Sequence, residues 1–326
     1  MQKLQQLIIL SRLTASETIR QPVCLLLTFI CVVLTIAVPL ITAHNFGEGG
    51  RLARDSGFAF HLMFGLFISG YAACATLERE RKAGTTSAIL SKPVNREIFF
   101  LAKFIGIVSV IILFSICAST ATLIAERVAI HFSPENSFLI DYQTAIIALL
   151  ACPIAAALIG AWNNLKNRRS FQSTALMALP ILMLIVTAAC GLFDRDGSWN
   201  PYHPQLQWQI IIVSILITLG LAMMSAIALS LAVRFSLIPV ISLCLILLIL
   251  GLASDYIFIQ LANKTIIAHL LYSLIPNWQN FWTADAIANG GSIPWSYSAR
   301  TALYCLLYTS GILFLGATAF KHSEIS

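Results

Sequence analysis

Charge is what this chain lacks. Only 10% of its 326 residues are Asp, Glu, Lys or Arg, against roughly 25% in an ordinary soluble domain. Catalytic signatures are missing as well. There is no HExxH, no GxSxG and no pair of aspartates within an apolar run, so the metalloprotease, serine hydrolase and intramembrane aspartyl chemistries have no residues to act through. No GxxxxGK[ST] loop occurs. The chain cannot cradle nucleotide phosphates in that way, and if ATP drives it, another polypeptide binds the ATP. The eight cysteines show no CxxC spacing and none sits at ligand spacing from a histidine. They are read as small buried hydrophobes. Catalytic, metal and cofactor-binding residues are therefore expected to be none, and the net charge of +6 is read as membrane topology, not as a nucleic-acid surface.

What is present is apolar sequence, 58% of the chain, in runs of about 20 residues, the length a helix needs to cross a hydrocarbon core of about 30 Å. Helices satisfy their own backbone hydrogen bonds in lipid. The predicted fold is all-α, a polytopic membrane helix bundle of about eight spans: Pro22–Ala43, Phe58–Leu77, Ile98–Ala125, Tyr142–Trp162, Ser173–Phe193, Leu206–Val233, Leu237–Ile259 and Thr301–Phe320. The first is too long for a signal-peptide core and is read as an uncleaved anchor. Residues 1–20 read either as an amphipathic interfacial helix, with Leu4, Leu7, Ile8 and Leu13 against Lys3, Arg12 and Arg20, or as a plain cytoplasmic extension of the first span. A basic turn, NNLKNRRSFQ, joins the fourth and fifth spans, and Arg234, Phe235 and Ser236 join the sixth and seventh.

With the N-terminus in the cytoplasm, the inner segments carry 14 Lys and Arg and the outer segments six, while acidic residues divide five and nine. This is the positive-inside asymmetry, and an even span count places both termini in the cytoplasm. The span centres carry no Asp, Glu, Lys or Arg, so they offer no ion site of the kind pumps use. His61, Lys103 and Asp255 are expected near span ends, where they can snorkel or meet a headgroup. Residues 260–299 are apolar but broken by Pro276, Asn277, Gly290, Gly291 and Pro294, with Trp278, Phe281, Trp282, Trp295 and Tyr297 between. Short re-entrant or interfacial helices on the outer side are expected there.

The most charged stretch, ERERKAGTTSAILSKPVNREIFFLAK over residues 78–103, interleaves Glu78, Glu80 and Glu97 with Arg79, Arg81, Lys82 and Arg96. A loop that only sets orientation needs basic residues alone, so mixed charge points to a docking surface, with a plain solvated loop as the alternative. Gly84 can end the second span's extension. Thr85, Thr86 or Ser87 can cap a helix of about two turns carrying Ala88, Ile89 and Leu90, and Pro93 stops it.

This stretch resembles the cytoplasmic loop of ABC-transporter type-2 permeases. The shared features are Glu78 and Glu80, Gly84-Thr85, Leu90-Ser91-Lys92-Pro93-Val94 with Arg96, then Phe99, Lys103 and Gly106. Weaker similarity extends to SLAVRFSLIPVISLCLILLILGLASDY and LIPNWQNFWTADAIANGG. Many family members have six spans; here the fourth and fifth look like an inserted pair that preserves sidedness. The resemblance implies a single permease domain over 1–326, in the inner membrane, and an exporter function. It implies a second permease copy or a relative as partner, and a separate ATP-binding cassette subunit docked on 78–97. The coupling residues it implies are Glu78, Glu80, Arg81, Gly84, Thr85, Ala88, Ile89, Leu90, Lys92, Pro93 and Arg96. The alternatives are a secondary transporter, which needs a site within the spans, and a membrane-embedded assembly factor.

Overall fold

The structure is a computed structural model that describes residues 2–41, 49–83, 96–130, 140–192, 206–256, 275–288 and 291–322. Among the described residues there are helices and no strands: α1 (Gln2–Ile19), α2 (Pro22–Ile41), α3 (Gly49–Ala83), α4 (Arg96–Ile130), α5 (Ile140–Asn167), α6 (Phe171–Leu192), α7 (Gln209–Ala232), α8 (Leu237–Leu252), a 3-10 turn at Trp278–Asn280, α9 (Ala284–Ala288) and α10 (Trp295–His322). Seven of them, α2 to α7 and α10, are long and apolar enough to cross a membrane.

Within the expected seventh span, α8 runs to Leu252, 16 residues that rise about 24 Å; the chain bends at Ala253 and is helical again over 254–256, where the described residues end. Three boundaries move outward. The expected polar loop 44–57 is helical from Gly49, which carries Arg51, Arg54 and Asp55 on α3. The third span continues past Ala125 to Ile130, and the last begins at Trp295.

Local chemistry explains the turns. Pro22 opens α2, where its missing N–H is no loss, and Gln21 N–H donates to the Thr18 carbonyl at 3.0 Å. Arg20 and Gln21 thus separate α1 from α2. Between α5 and α6, Arg168 takes a left-handed φ of 52°, and the Asn164 side chain donates to the Arg169 carbonyl at 2.8 Å. The α7–α8 turn falls at Arg234–Ser236 as expected, with Arg234 and Phe235 N–H both on the Leu231 carbonyl. Several hydroxyls within the spans are satisfied by their own helix: Thr28, Thr35, Thr122 and Thr187 donate to carbonyls four residues back, as hydroxyls in helices do.

The chain forms two compact units. One comprises Ala15–Ile68 and Ser109–Ile215. Its core joins Val32 and Ile36 of α2, Cys117, Ala121, Ile124 and Val128 of α4, Ile146, Leu149 and Cys152 of α5, and Leu179 and Met183 of α6. Here α3 and α4 run antiparallel in steady register. Gly49 meets Ala129, Gly57 meets Thr122, Arg54 pairs with Glu126 and His61 bonds Ser115. The α5–α6 hairpin pairs along its length and touches α2. Its outward residues, Ile147, Ile154, Leu158, Met177, Ile181 and Ile185, are exposed.

The other unit comprises Met1–Thr14, Ser69–Val108 and Leu216–Ser326. It holds α8, and side chains bridge the bend that follows it. Trp278 Nε1 donates to the Leu247 carbonyl at 3.0 Å and Gln279 Nε2 to the Leu252 carbonyl at 2.8 Å. Asn277 Nδ2 donates to Asp255 at 2.8 Å. Irregular backbone is tolerated at membrane depth only where protein satisfies it, and these donors meet that condition at the bend after Leu252. Of the expected broken segment 260–299, residues 275–288 form a 3-10 turn and the five-residue α9, while 260–274 and 289–290 lie outside the described residues.

Candidate coupling site

Of the residues singled out from sequence, those described fall at the end of α3 and the start of α4. Glu78 lies exposed on α3. Glu80 and Arg81 lie on its last turns, their side chains outside the described residues. Gly84, Thr85, Ala88, Ile89, Leu90, Lys92 and Pro93, and with them the expected short helix, also lie outside the described residues. Arg96 is the first residue of α4.

Arg96 is a cation in the first turn of its own helix, where the dipole disfavours it. Its guanidinium instead reaches the end of α10, donating from Nη1 to the Lys321 carbonyl at 2.8 Å. A cation on the last carbonyls of a helix is the favourable placement. One turn on, Phe320 stacks on Phe99 with ring centroids 6.0 Å apart and 20° between planes, and its centroid lies 5.9 Å from that of Phe100. All three rings are buried. Close approach here requires a glycine: a Cβ at Gly316 would lie 2.8 Å from Phe100 Cζ and would run into Ser230 Oγ. The Ser230 hydroxyl donates to the Ile312 carbonyl at 3.3 Å.

Lys103 lies near the start of α4, as expected, but instead of snorkelling outward it is buried, 3% exposed, with Nζ 5.3 Å from the centroid of the Phe99 ring one turn back. A desolvated cation over an aromatic face gains about 2 kcal/mol. Gly106, three residues on, faces α1. A Cβ there would lie 2.6 Å from Thr14 Cβ and 2.9 Å from the Ser11 carbonyl oxygen. The start of α4 is thus clasped by the end of α10 and by α1. Sequence reasoning found Arg96, Phe99, Lys103 and Gly106 but missed Phe320 and Thr14, because nothing local marks which distant helix a small residue admits.

The polar groups of the other unit were misplaced by the sequence. His61 is fully buried, its Nε2 2.9 Å from Ser115 Oγ and its ring edge-on to Phe114. Arg54 donates from Nη1 to Glu126 at 3.1 Å, both side chains at most 4% exposed, and from Nε to Asp55. Arg127 donates to the Cys190 carbonyl. Arg54, Glu126 and Arg127 were expected in loops; longer helices carry them inside the packing. Among the cysteines, seven are buried and Cys190 is half-buried, as expected of small hydrophobes. Asp255 accepts from Asn277.

Helices of this length and apolarity, with rows of exposed Leu, Ile and Phe along α5, α6 and α10 that no soluble surface would carry, define a multi-pass membrane protein. Residues 19–168 match the family model described as ABC-2 family transporter protein. The match bears out the resemblance to type-2 ABC permeases and supports a permease subunit of an ABC transporter. It spans α2 to α5, including 78–97, and stops at the α5–α6 turn. No curated protein matches the chain.

Proposed function

We propose that the chain is the membrane-spanning permease subunit of an ABC exporter, one permease domain over 1–326, driven by a separate ATPase docked on residues 78–97. The observation that carries this reading is the ABC-2 family match, which includes the helices entering and leaving that loop. The mixed charge of Glu78, Glu80, Arg81 and Arg96 supports docking. Gly84, Thr85, Ala88, Ile89, Leu90, Lys92 and Pro93 supply the short helix that receives the ATPase. Two permease subunits, identical or related, form the pathway at their shared face. The division of 14 basic residues against six supports an inner-membrane protein with cytoplasmic termini and a cytoplasmic 78–97 loop. On that side α1, with Lys3, Arg12 and Arg20 beside exposed Leu4, Ile8 and Leu13, lies along the interface.

The test is purification from mild detergent with a C-terminal tag, followed by an ATPase assay. A nucleotide-binding subunit should co-purify and should be lost on charge reversal at Glu80 and Arg81. A protein that emerges alone and transports in proteoliposomes without ATP would overturn the reading.

A further inference from the structure

α10 is held at both ends, and the two ends touch different things. Near its C-terminus it receives the foot of the charged loop, through Arg96 on the Lys321 carbonyl and Phe320 on Phe99 and Phe100. Toward its N-terminus it holds the broken segment. The Asn277 N–H donates to Tyr304 Oη at 3.1 Å, Phe281 packs on Tyr304 with centroids 6.2 Å apart, and Tyr297 Oη donates to the Asn280 carbonyl at 3.0 Å. Sixteen helical residues, about 24 Å, separate Tyr304 from Phe320. Between these ends the helix is guided along α7, by Cys305 on the Leu219 carbonyl and by Ser230 on the Ile312 carbonyl.

The broken segment is built to respond. Its one 3-10 turn carries the donors that close α8: Trp278 to Leu247 and Gln279 to Leu252. Trp278 is itself buried, 2% exposed, where Gly251 leaves room for the indole. If α10 shifts along its axis, Tyr304 and Tyr297 carry residues 277–281 with them. Those donors must then leave the α8 carbonyls or take α8 along. A helix transmits axial displacement because its backbone bonds lie along that axis, and packed interfaces switch between discrete arrangements instead of deforming smoothly.

We propose that α10 is the transmission element between the loop foot at Arg96 and the segment 277–281, with Phe320 and Tyr304 as its positioning residues and 277–281 as the moving gate of the transport cycle. The proposal rests on the reading of 78–97 as the ATPase-docking loop. It adds that nucleotide-driven motion reaches the gate through the last helix, by way of contacts that neither the loop nor the family match contains.

The experiment is hydrogen–deuterium exchange of the purified complex with its ATPase subunit, with and without a non-hydrolysable ATP analogue. In the wild type, exchange over 275–288 should change with nucleotide. Phe320→Ala and Tyr304→Phe should each abolish that change and lower transport about tenfold, within the usual range of coupling between sites. The ATPase subunit should still co-purify, and the nucleotide-dependent change in peptides of α3 and α4 should remain. Phe320→Trp, which keeps a ring between Phe99 and Phe100, should restore the response. A nucleotide response over 275–288 that persists in both variants overturns the proposal, as does a wild type with no response there. Failure of the ATPase subunit to co-purify with wild type would instead overturn the docking reading beneath it. Tyr304→Phe removes one hydroxyl and keeps the ring, so its outcome is read even if Phe320→Ala fails to fold.

Discussion

Arg54 and Glu126 form an ion pair, 3.1 Å between Nη1 and Oε1, inside the antiparallel α3–α4 contact. Arg54 also donates to half-buried Asp55, while its buried Nη2 has no hydrogen-bond partner among the described residues. Removing one partner of a buried pair leaves an uncompensated charge, which costs about 3–5 kcal/mol. Arg54→Ala and Glu126→Ala should therefore each destabilise by that order. Replacing both by Met and Leu should cost markedly less, since no charge is left behind. Denaturant titration of the detergent-solubilised protein checks this. A double variant as unstable as either single one would remove the pair from the account.

The same helices are joined by His61 and Ser115, and here a smaller effect is expected. Hydrogen bonds between membrane helices average about 0.6 kcal/mol and reach about 1.7. A double-mutant cycle over His61→Ala and Ser115→Ala should return a coupling in that range, several-fold below the Arg54–Glu126 value. A coupling of 3 kcal/mol or more, on the order of a buried charge pair, would mean that the histidine is charged in its site.

The contrast between these pairs shows what the sequence could reveal. The apolar runs located α2 to α7 and α10 because lipid imposes length and composition on a span. Hydropathy fails at span ends, where Arg54, Glu126 and Arg127 read as loop residues. A charged residue within a helix end is distinguishable from one in a loop only by its partner, and Arg54 and Glu126 lie 72 positions apart. The bend after Leu252 was illegible for a related reason. The donors that take the α8 carbonyls there belong to Trp278 and Gln279, beyond any local window. At the coupling site, the motif exposed Arg96, Phe99, Lys103 and Gly106. Phe320 closes on them from the far end of the chain.

Gly106 admits α1 to the start of α4, and its replacement is predicted to release that helix. A valine would place methyls into Thr14 Cβ and the Ser11 carbonyl, since even a Cβ lies 2.6 and 2.9 Å from them. Overpacking of this kind costs about 1–3 kcal/mol, enough to open a local contact without unfolding the bundle. In Gly106→Val, a cysteine placed at Thr14, buried in the native fold, should become reactive to a membrane-impermeant maleimide added to inside-out vesicles. Unchanged protection would show that α1 is held elsewhere.

The loop itself supplies the last prediction. On the proposed reading, Gly84 ends the extension of α3 ahead of a short helix carrying Ala88, Ile89 and Leu90, a turn that glycine makes readily. Valine there favours extended backbone and stiffens χ1, so coupling through that joint should be lost while the spans, set by hydropathy, insert normally. Charge reversal at Glu80 and Arg81 attacks the same joint from its polar side. Both variants should reach the membrane in normal amounts and lose transport by about tenfold or more, a coupling loss of about 1.4 kcal/mol. They should differ in one respect: Gly84→Val should retain the ATPase subunit and its hydrolysis, whereas the charge reversal should release it. Normal transport in either variant would move the coupling out of residues 78–97. Loss of membrane insertion would show that these residues set topology and nothing more.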